Sequence, residues 1–576
     1  MKRLLHIMRA YLKESVLGPL FKLLEATLEL LVPLVVAAIV DRGIEGADVP
    51  YTVKMCLVLA AFGLVGLGFS VTAQYFAARA AVGTVTRLRH DLLDHLTSLS
   101  YTEMDTLGTS TMLTRMTSDI NLVQQGINLT LRLFLRSPFV VFGAMIVAFT
   151  IDVRAALTFV AAIPVLSVIV FGIMLVSIPL YKGVQANLER VLLRTRENLA
   201  GVRVLRAFCK EDDEIADFTK ENDELTDRQT FVGRISALLN PLTFVIINLT
   251  ILWLIRLGAV RVESGVLSQG ELIALYNLMG QILVELIKLA NLIITMTKAV
   301  ASMNRIDAVF QIPTETDEAT HEPCELPECD AVTFRDVSLT YRGAGDATLS
   351  HVSFCAPRGS TVGVIGGTGS GKTSLIHLIA RFYRASEGEI LLGGHPISSY
   401  PSTSLRRRIS VVPQRATLFF GTLRDNLRWR CEDATDEQLY DALRIAQAYD
   451  FVMEKGGLDL EIEQGGGNLS GGQRQRLTIA RALVGSPEIL ILDDAASALD
   501  YATDASLRRA IRENCEKMTV FIVSQRASSL MHADLILTLD DGELVGVGTH
   551  DQLLEDCPVY AQIYASQFEK EVNDRG

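Results

Sequence analysis

The sequence lacks three features that would point to common protein classes. It has no surplus of basic residues, because 54 Lys and Arg stand against 66 Asp and Glu, for a net charge of −12. That balance argues against general nucleic-acid binding, which requires a basic surface. Its eight cysteines are scattered, so they predict neither a disulfide framework nor a zinc site. The basic, amphipathic residues 1–15 have no cleavage site before the first apolar run, which favours an interfacial helix over a removable signal peptide.

What the sequence does have is long apolar runs, all within its first three hundred residues. A chain of 576 residues is too long for one core, and the mean hydropathy of +0.30 averages two unlike parts. A membrane-spanning helix needs roughly 20 apolar residues. Six segments fit or nearly fit that length: residues 16–39, 53–77, 134–151, 155–180, 237–260 and 272–297.

The distribution of Lys and Arg predicts how these spans are oriented. Basic residues are concentrated in the N-terminal arm and after the second and fourth spans, and are sparse in the connections 41–50, 152–154 and 261–270. The positive-inside rule then predicts that both termini face the cytoplasm. Charged helical patterns continue beyond the second and fourth spans, so these helices should extend into the cytoplasm.

The remaining sequence predicts a linker and a soluble α/β domain. Residues 311–330 are rich in Pro, Thr and Glu and have no helical periodicity, as expected of a linker. Beyond them, short apolar strands alternate with helical patterns. Strands are predicted over 332–334 and 361–365, and a helix over 373–383.

A glycine-rich loop joins the second of these strands to its helix. It consists of Gly366, Gly367, Thr368, Gly369, Ser370, Gly371, Lys372 and Thr373, followed by Ser374, and fits the pattern G-x-x-x-x-G-K-[ST]. Glycines let backbone N–H groups converge on phosphate oxygens at the N-terminus of a helix. Lys372 would then reach the β- and γ-phosphates of a nucleotide, and the Thr373 hydroxyl would ligate Mg²⁺. Asp493, which ends an apolar strand, supplies a carboxylate on the magnesium side.

A second marker is the pentapeptide Leu469, Ser470, Gly471, Gly472 and Gln473, which precedes a helix predicted over 475–484. By average composition it would arise in a chain of this length roughly once in a thousand. Together with the glycine loop it resembles the ATP-binding cassette (ABC) family. The membrane half resembles that of exporter-type half transporters, with coupling loops at 101–119 and 196–218. The resemblance covers nearly the whole chain, apart from the linker and the last few residues.

The resemblance implies a fold, a set of domains and further site residues. The fold is a six-helix, all-α transmembrane domain of exporter type followed by an α/β P-loop nucleotide-binding domain. Its parts are an amphipathic elbow helix (1–15), the transmembrane domain (16–310), the linker (311–330) and the cassette (331–570). Tyr341 would stack on adenine, and Asp500 would lie in a loop at the dimer contact. ATP and Mg²⁺ are the implied cofactors, with Thr373, Gln414 and Asp493 at the metal.

Two catalytic positions depart from the family pattern. The residue after Asp493 is Asp494, where hydrolysing cassettes have a Glu that positions the attacking water, and Gln525 stands where they have His. Asp keeps the charge but is one methylene shorter, and such a displacement can cost about 10²-fold in rate. Gln can form hydrogen bonds but cannot change its protonation state. The alternative is that both changes are tolerated and the site turns over normally.

The intact pentapeptide predicts a partner. In this family the pentapeptide of one subunit completes the nucleotide site of the other. We therefore expect a heterodimer with a second ABC half transporter, in which Ser470 completes a competent site of the partner while the site of this chain binds ATP and hydrolyses it poorly. The other expected contacts are membrane lipid and a small amphipathic substrate, with no nucleic acid.

Two pairs of ionisable residues in the predicted spans lie at helical spacing. Glu25 and Glu29 share a face of the first span, and Glu285 and Lys288 share a face of the last. Charges in lipid are costly and usually face the helix bundle or a water-filled path. They either pair structurally or line a cavity for cationic or amphipathic compounds.

The sequence thus predicts an ATPase coupled to export at a bacterial plasma membrane. Three alternatives remain open at this point. They are an importer on the exporter fold for siderophore-like chelates, a homodimeric, slowly hydrolysing regulatory protein gated by ATP, and a cassette that binds without transport.

Overall fold

The structure, a computed structural model, describes residues 2–315, 323 and 329–573. It divides into two compact units. The membrane unit comprises residues 1–97 and 108–313, and the cassette unit comprises residues 98–107 and 314–576. Most of the predicted linker, residues 316–322 and 324–328, lies outside the described residues.

The membrane unit is entirely helical in its described part. Its helices are α1 (Lys2–Met8), α2 (Leu12–Ala38), α3 (Val49–Thr97), α5 (Thr109–Thr114), α6 (Ile120–Leu133), α7 (Arg136–Ile151), α8 (Val153–Ala200), α9 (Val202–Ala207), α10 (Glu211–Ala237), α11 (Leu239–Glu263) and α12 (Gln269–Phe310), with α4 (Tyr101–Leu107) belonging to the cassette unit. Short π-helical turns at Ile39–Ile44 and Arg115–Asp119 extend the helices that they adjoin.

Six stretches of the described chain are long and apolar enough to cross a membrane, and each contains one of the six predicted segments. They are Arg3–Ile44, Val49–Thr97, Thr109–Ile151, Val153–Ala200, Glu211–Glu263 and Gln269–Phe310. Phe159, Leu275 and Met279 are fully buried at their centre. Asp152, in a predicted short connection, caps α8 by accepting a hydrogen bond from the backbone N–H of Ala155 at 2.8 Å.

The cassette unit is built on two main sheets. Its strands are β1 (Val332–Leu339), β2 (Leu349–Ala356), β3 (Thr361–Gly366), β4 (Glu387–Leu392), β5 (His395–Pro396), β6 (Ile409–Val412), β7 (Gly421–Thr422), β8 (Glu461–Ile462), β9 (Ile489–Asp493), β10 (Thr519–Val523), β11 (Leu535–Asp540) and β12 (Glu543–Gly548). The larger sheet has the order β12-β11-β3-β10-β9-β6, in which β11, β3, β10, β9 and β6 are parallel. The carboxyl ends of β3, β10 and β9 therefore meet at one edge.

Nine helices surround these sheets in the described part of the cassette unit beyond residue 329. They are α13 (Lys372–Ile379), α14 (Ser402–Arg408), α15 (Leu423–Arg428), α16 (Asp436–Ile445), α17 (Tyr449–Glu454), α18 (Gly471–Leu483), α19 (Tyr501–Asn514), α20 (His550–Asp556) and α21 (Pro558–Asn573).

Two predicted helix boundaries are wrong. The helix expected over 373–383 ends at Ile379, because Arg381 adopts a left-handed backbone (φ +50°) that no helix continues through. The helix expected over 475–484 begins four residues earlier, at Gly471, because Ser470 caps it: its Oγ accepts from the N–H of Gln473 at 3.3 Å.

Segment 98–107 packs within the cassette unit although it lies early in the chain. The ring of Tyr101 stacks on that of Phe382, with centroids 4.6 Å apart. The hydroxyl of Tyr383 donates to Asp105 Oδ2 at 2.5 Å. The structure thus divides the predicted coupling loop 101–119 between the two units.

Candidate nucleotide-binding site

The glycine loop turns tightly between β3 and α13. Gly371 has φ +91°, and a Cβ there would lie 2.6 Å from Leu349 Cδ2 and 2.9 Å from the carbonyl oxygen of Thr348. Only glycine fits such a left-handed, crowded position without strain. The loop therefore brings its backbone to the N-terminus of α13, the geometry that binds phosphate.

Lys372, the first residue of α13, folds back over this loop. It is 9% exposed, and its Nζ donates to the carbonyl oxygens of Gly366 at 3.0 Å and Gly367 at 2.5 Å. Burial lowers the pKa of the ammonium group, and Asp494 and Asp493 only partly offset that effect. The loop thus holds a desolvated cation that a phosphate group would stabilise.

Two adjacent carboxylates face Lys372 from the end of β9. Asp493 is 5% exposed, and the Thr373 hydroxyl lies 3.3 Å from each of its carboxylate oxygens. Burial raises the pKa of Asp493 and of Asp494. Gln414 Nε2 donates to Asp494 Oδ2 at 3.3 Å. A hydroxyl facing a carboxylate fits Mg²⁺, which takes few protein ligands and keeps waters and phosphate oxygens around it.

Asp494 has an unusual backbone for a residue with a side chain. Its φ is +45°, and its N–H donates to the carbonyl oxygen of Val523 at 3.0 Å, which ties the end of β9 to the end of β10. Asp tolerates the left-handed region better than most side chains. The backbone of Asp494 is therefore fixed between the ends of β9 and β10.

The structure brings most of the predicted site residues into one cleft of about 320 Å³. Gln525 closes it from the end of β10. The lining residues are Thr348, Thr368, Gly369, Ser370, Gly371, Lys372, Thr373, Ser374, Gln414, Asp493, Asp494, Val523 and Gln525. Thr348 has no motif around it, so the sequence offered no signal for it.

Tyr341 lies beside the loop rather than in the lining of this cleft. Its hydroxyl is 2.9 Å from Ser374 Oγ, and its ring meets Tyr383 edge-on with centroids 5.0 Å apart. The aromatic face that the sequence assigns to adenine is therefore fixed next to the phosphate loop.

The pentapeptide lies elsewhere in the cassette unit. Ser470 and Gly471 are exposed at the start of α18, and none of the five residues 469–473 is among the described residues that line the cleft. A Cβ on Gly472 would lie 3.1 Å from the carbonyl oxygen of Ala498, so the pentapeptide packs closely on the loop that ends at Asp500. Asp500 caps α19 by accepting from the N–H of Thr503 at 3.1 Å.

The charges predicted in the spans are paired within the membrane unit. Arg136, which the sequence analysis did not single out, is 6% exposed and donates to Glu29 at 2.5 Å and to Glu285 at 2.6 Å. Glu285 also accepts from Lys288 at 2.8 Å and from Ser137 at 2.8 Å. These five residues, which we call the membrane charge network, join α2, α7 and α12. Glu25 pairs separately with Lys22 at 2.5 Å.

Comparison with known protein families gives two matches along the chain. Residues 15–286 match the family described as the ABC transporter transmembrane region. Residues 349–497 match the ABC transporter family model. The second range contains the glycine loop, the pentapeptide and both carboxylates of the cleft.

Individual proteins resemble the chain over most of its length. An uncharacterized ABC transporter ATP-binding protein, YfiB of Bacillus subtilis, is 32% identical over 99% of both chains. A probable multidrug resistance ABC transporter ATP-binding/permease protein, YheI of the same species, is 33% identical over 83% of this chain and 82% of its own length. The solved structure of a bacterial Atm1-family ABC exporter with ATP bound has a TM-score of 0.80 over 97% of this chain and 98% of its own, at 23% identity.

Proposed function

The chain belongs to the ABC transporter family, as an ATPase coupled to transport with the fold of an exporter, and from that premise we propose that it is one half of a heterodimer that exports small amphipathic compounds. Its own cleft binds ATP and hydrolyses it poorly. Its pentapeptide completes the competent site of a partner half transporter.

The observation that carries the proposal is the pairing of Asp494 and Gln525 in one cleft with an intact pentapeptide outside it. The Asp494 carboxylate is one methylene shorter than the family's Glu, its pKa is raised by burial, and its N–H is tied to β10. A carboxylate at the end of a side chain that is one methylene too short is poorly placed to align a water. Gln525 offers no titratable group to compensate.

The binding function of the cleft rests on residues that are unaltered. Lys372 and the loop N–H groups hold the phosphates, and Thr373, Asp493 and Gln414 hold Mg²⁺, with Tyr341 against the base. When bound, Mg²⁺ neutralises part of the phosphate charge. Tight nucleotide binding with slow hydrolysis keeps the two cassettes of a dimer associated for longer, so this site would act mainly to stabilise the closed dimer.

The exposure of Ser470 supports a role in a second subunit. An exposed serine at a helix N-terminus suits the phosphates of a nucleotide held by another chain. The relatives support export of amphipaths, since one of them is named as a probable multidrug resistance transporter. We place the protein in a bacterial plasma membrane as a multi-pass subunit with both termini cytoplasmic.

Two substitutions in this chain test the asymmetry in the reconstituted pair. Ser470→Asp retains the helix cap, because Asp caps as well as Ser, but adds a charge that repels the partner's nucleotide. We expect it to lower ATPase activity and ATP-dependent dye accumulation in inside-out proteoliposomes at least tenfold. Asp494→Asn should lower both less than twofold.

Ser470→Asn is the matched control, because it keeps the cap without the charge. It should retain more activity than Ser470→Asp. Equal losses from Ser470→Asp and Asp494→Asn would contradict the asymmetric dimer.

A further inference from the structure

One face of helix α21 packs against the loop that carries Gln525. Tyr560, Ile563, Tyr564 and Gln567 recur at the i, i+3, i+4, i+7 spacing of a single helix face. Tyr560 is fully buried, and its hydroxyl lies 2.7 Å from His550 Nδ1. Ala527 belongs to the same apolar cluster as Tyr560, so this helix and the end of the Gln525 loop share one small core.

Gln567 uses both ends of its side-chain amide on that loop. Its Nε2 donates to the carbonyl oxygen of Gln525 at 2.8 Å, and its Oε1 accepts from the N–H of Ala527 at 2.8 Å. The two contacts span Arg526 and hold the backbone on either side of it. An amide that donates and accepts at once fixes the direction of the chain as well as its distance.

The loop has few other constraints near Gln525. It begins at Ser524, whose N–H donates to the carbonyl oxygen of Val364 at 3.1 Å, and the Ser524 hydroxyl accepts from the N–H of Arg526 at 3.0 Å. The Gln525 side chain lines the cleft and is exposed, and it has no hydrogen-bond partner among the described residues. Its direction therefore depends on how its own backbone is held.

We infer that Gln567 is a positioning residue that aims the Gln525 side chain at the terminal phosphate of a nucleotide in the cleft. The inference rests on the proposed function, since it requires that the cleft bind ATP. Gln567 itself touches no nucleotide. Its contribution is to make the cleft distinguish ATP from ADP, because only ATP carries the phosphate that Gln525 would contact.

The test measures binding of Mg²⁺ with AMP-PNP, a poorly hydrolysed ATP analogue, and of Mg²⁺ with ADP to the purified full-length chain. Gln567→Met keeps the volume and removes both hydrogen bonds. We expect it to weaken AMP-PNP binding about threefold to tenfold, the range for losing one or two net hydrogen bonds, and to leave ADP binding unchanged. Gln567→Glu retains the acceptor for Ala527 but cannot donate to Gln525, so it should also lose discrimination.

Two controls distinguish positioning of Gln525 by Gln567 from a purely structural role of Gln567. Gln562→Met alters an exposed glutamine of the same helix and should bind both nucleotides like the unaltered chain. In a Gln525→Ala background, Gln567→Met should have no further effect on AMP-PNP, because the side chain through which it acts is gone. Thermal unfolding without nucleotide reports any loss of folding separately.

Unchanged discrimination in Gln567→Met and Gln567→Glu overturns the inference, as does an equal loss for ADP and AMP-PNP or a loss that persists in the Gln525→Ala background. If Gln567→Met does not fold, the Gln567→Glu result alone decides. If the unaltered chain binds neither nucleotide, the proposed function fails instead.

Discussion

The two units of the protein treat buried charge in opposite ways. In the membrane unit, Arg136 lies between Glu29 and Glu285, and each of these charges has a partner within the chain. In the cleft of the cassette unit, Lys372 faces carbonyl oxygens, while burial raises the pKa of two neighbouring carboxylates. The charges of the membrane unit are therefore paired within the chain, whereas the desolvated charges of the cleft would be compensated only by a bound ligand.

This difference indicates what each set of charges is for. A paired network that joins three helices holds them in one arrangement, and removing one member leaves a charge stranded in a medium that solvates it badly. Desolvated positive and negative charges around an open cleft lower the stability of the free protein. Binding of a ligand that pairs with them stabilises the folded state. Substitutions at Arg136, Lys372 and His377 test this difference between the two units.

The largest effect is expected from Arg136→Met. It leaves Glu285 buried with only Lys288 and Ser137, so we expect the free energy of unfolding to fall by about 3 kcal/mol, near the lower end for a broken buried pair. Denaturant unfolding of the purified chain in detergent measures this. Glu29→Gln, at the half-exposed end of the network, should cost less than about 1 kcal/mol.

The double substitution Arg136→Met with Glu285→Met provides the control. It removes both buried charges, so much of the lost stability should return. A double variant as unstable as Arg136→Met would show that shape, and not charge, accounts for the loss.

The second-largest effect is expected from Lys372→Met, which should weaken ATP binding and leave the stability of the free protein nearly unchanged. We expect ATP affinity to drop about tenfold to a hundredfold, because a charge-assisted contact to phosphate is lost. Thermal unfolding without nucleotide should change little or improve slightly, since the ammonium group is already desolvated at that position. A loss of stability like that of Arg136→Met would refute the contrast between the two units.

The smallest effect is expected on the pH dependence of stability, from half-buried His377 in α13. It tests whether the cassette unit also buries ionisable groups without full charge compensation outside the cleft. Burial lowers its pKa, only partly offset by Asp105, so the folded state favours the neutral ring. Its contribution to stability is therefore complete above the ordinary histidine pKa and is lost as the pH falls from there through the depressed value. The loss has a slope of at most about 1.4 kcal/mol per pH unit.

Unfolding of the unaltered chain and of His377→Gln between pH 7.5 and 5.5 checks this, and the variant should lose less stability on acidification. His351 is the control of opposite sign. Asp336 raises its pKa, so its contribution is present below the ordinary histidine pKa and is lost as the pH rises through the raised value. Identical pH profiles for His377→Gln and the unaltered chain would contradict the assignment.

The sequence predicted those parts of the cleft that local chemistry determines. The glycine loop follows a strand and opens a helix, and Asp493 ends an apolar run, so neighbours in the chain carried the information. The six spans were confirmed for the same reason, since each is a continuous apolar segment. The end of α13 was predicted too late because the turn at Arg381 has no local signal such as glycine or proline.

The membrane charge network could not be predicted completely from residues that are neighbours in the chain. Helical spacing indicated its carboxylates and Lys288 but not Arg136, which pairs with Glu29 and Glu285 from 107 and 149 residues away. Gln567, 42 residues from Gln525, was missed for the same reason. Contacts between distant segments are set by tertiary packing, which hydropathy and motif spacing do not predict.

The packing of segment 98–107 within the cassette unit has a consequence for how the protein is made. Asp105 and its partner Tyr383 are 278 residues apart in the chain. At translation rates of about 5–20 residues per second, the ribosome reaches Tyr383 roughly 14–56 s after Asp105. Tyr101 and Asp105 therefore leave the ribosome long before their partners Phe382 and Tyr383 exist, so this short helix makes its contacts only late in synthesis.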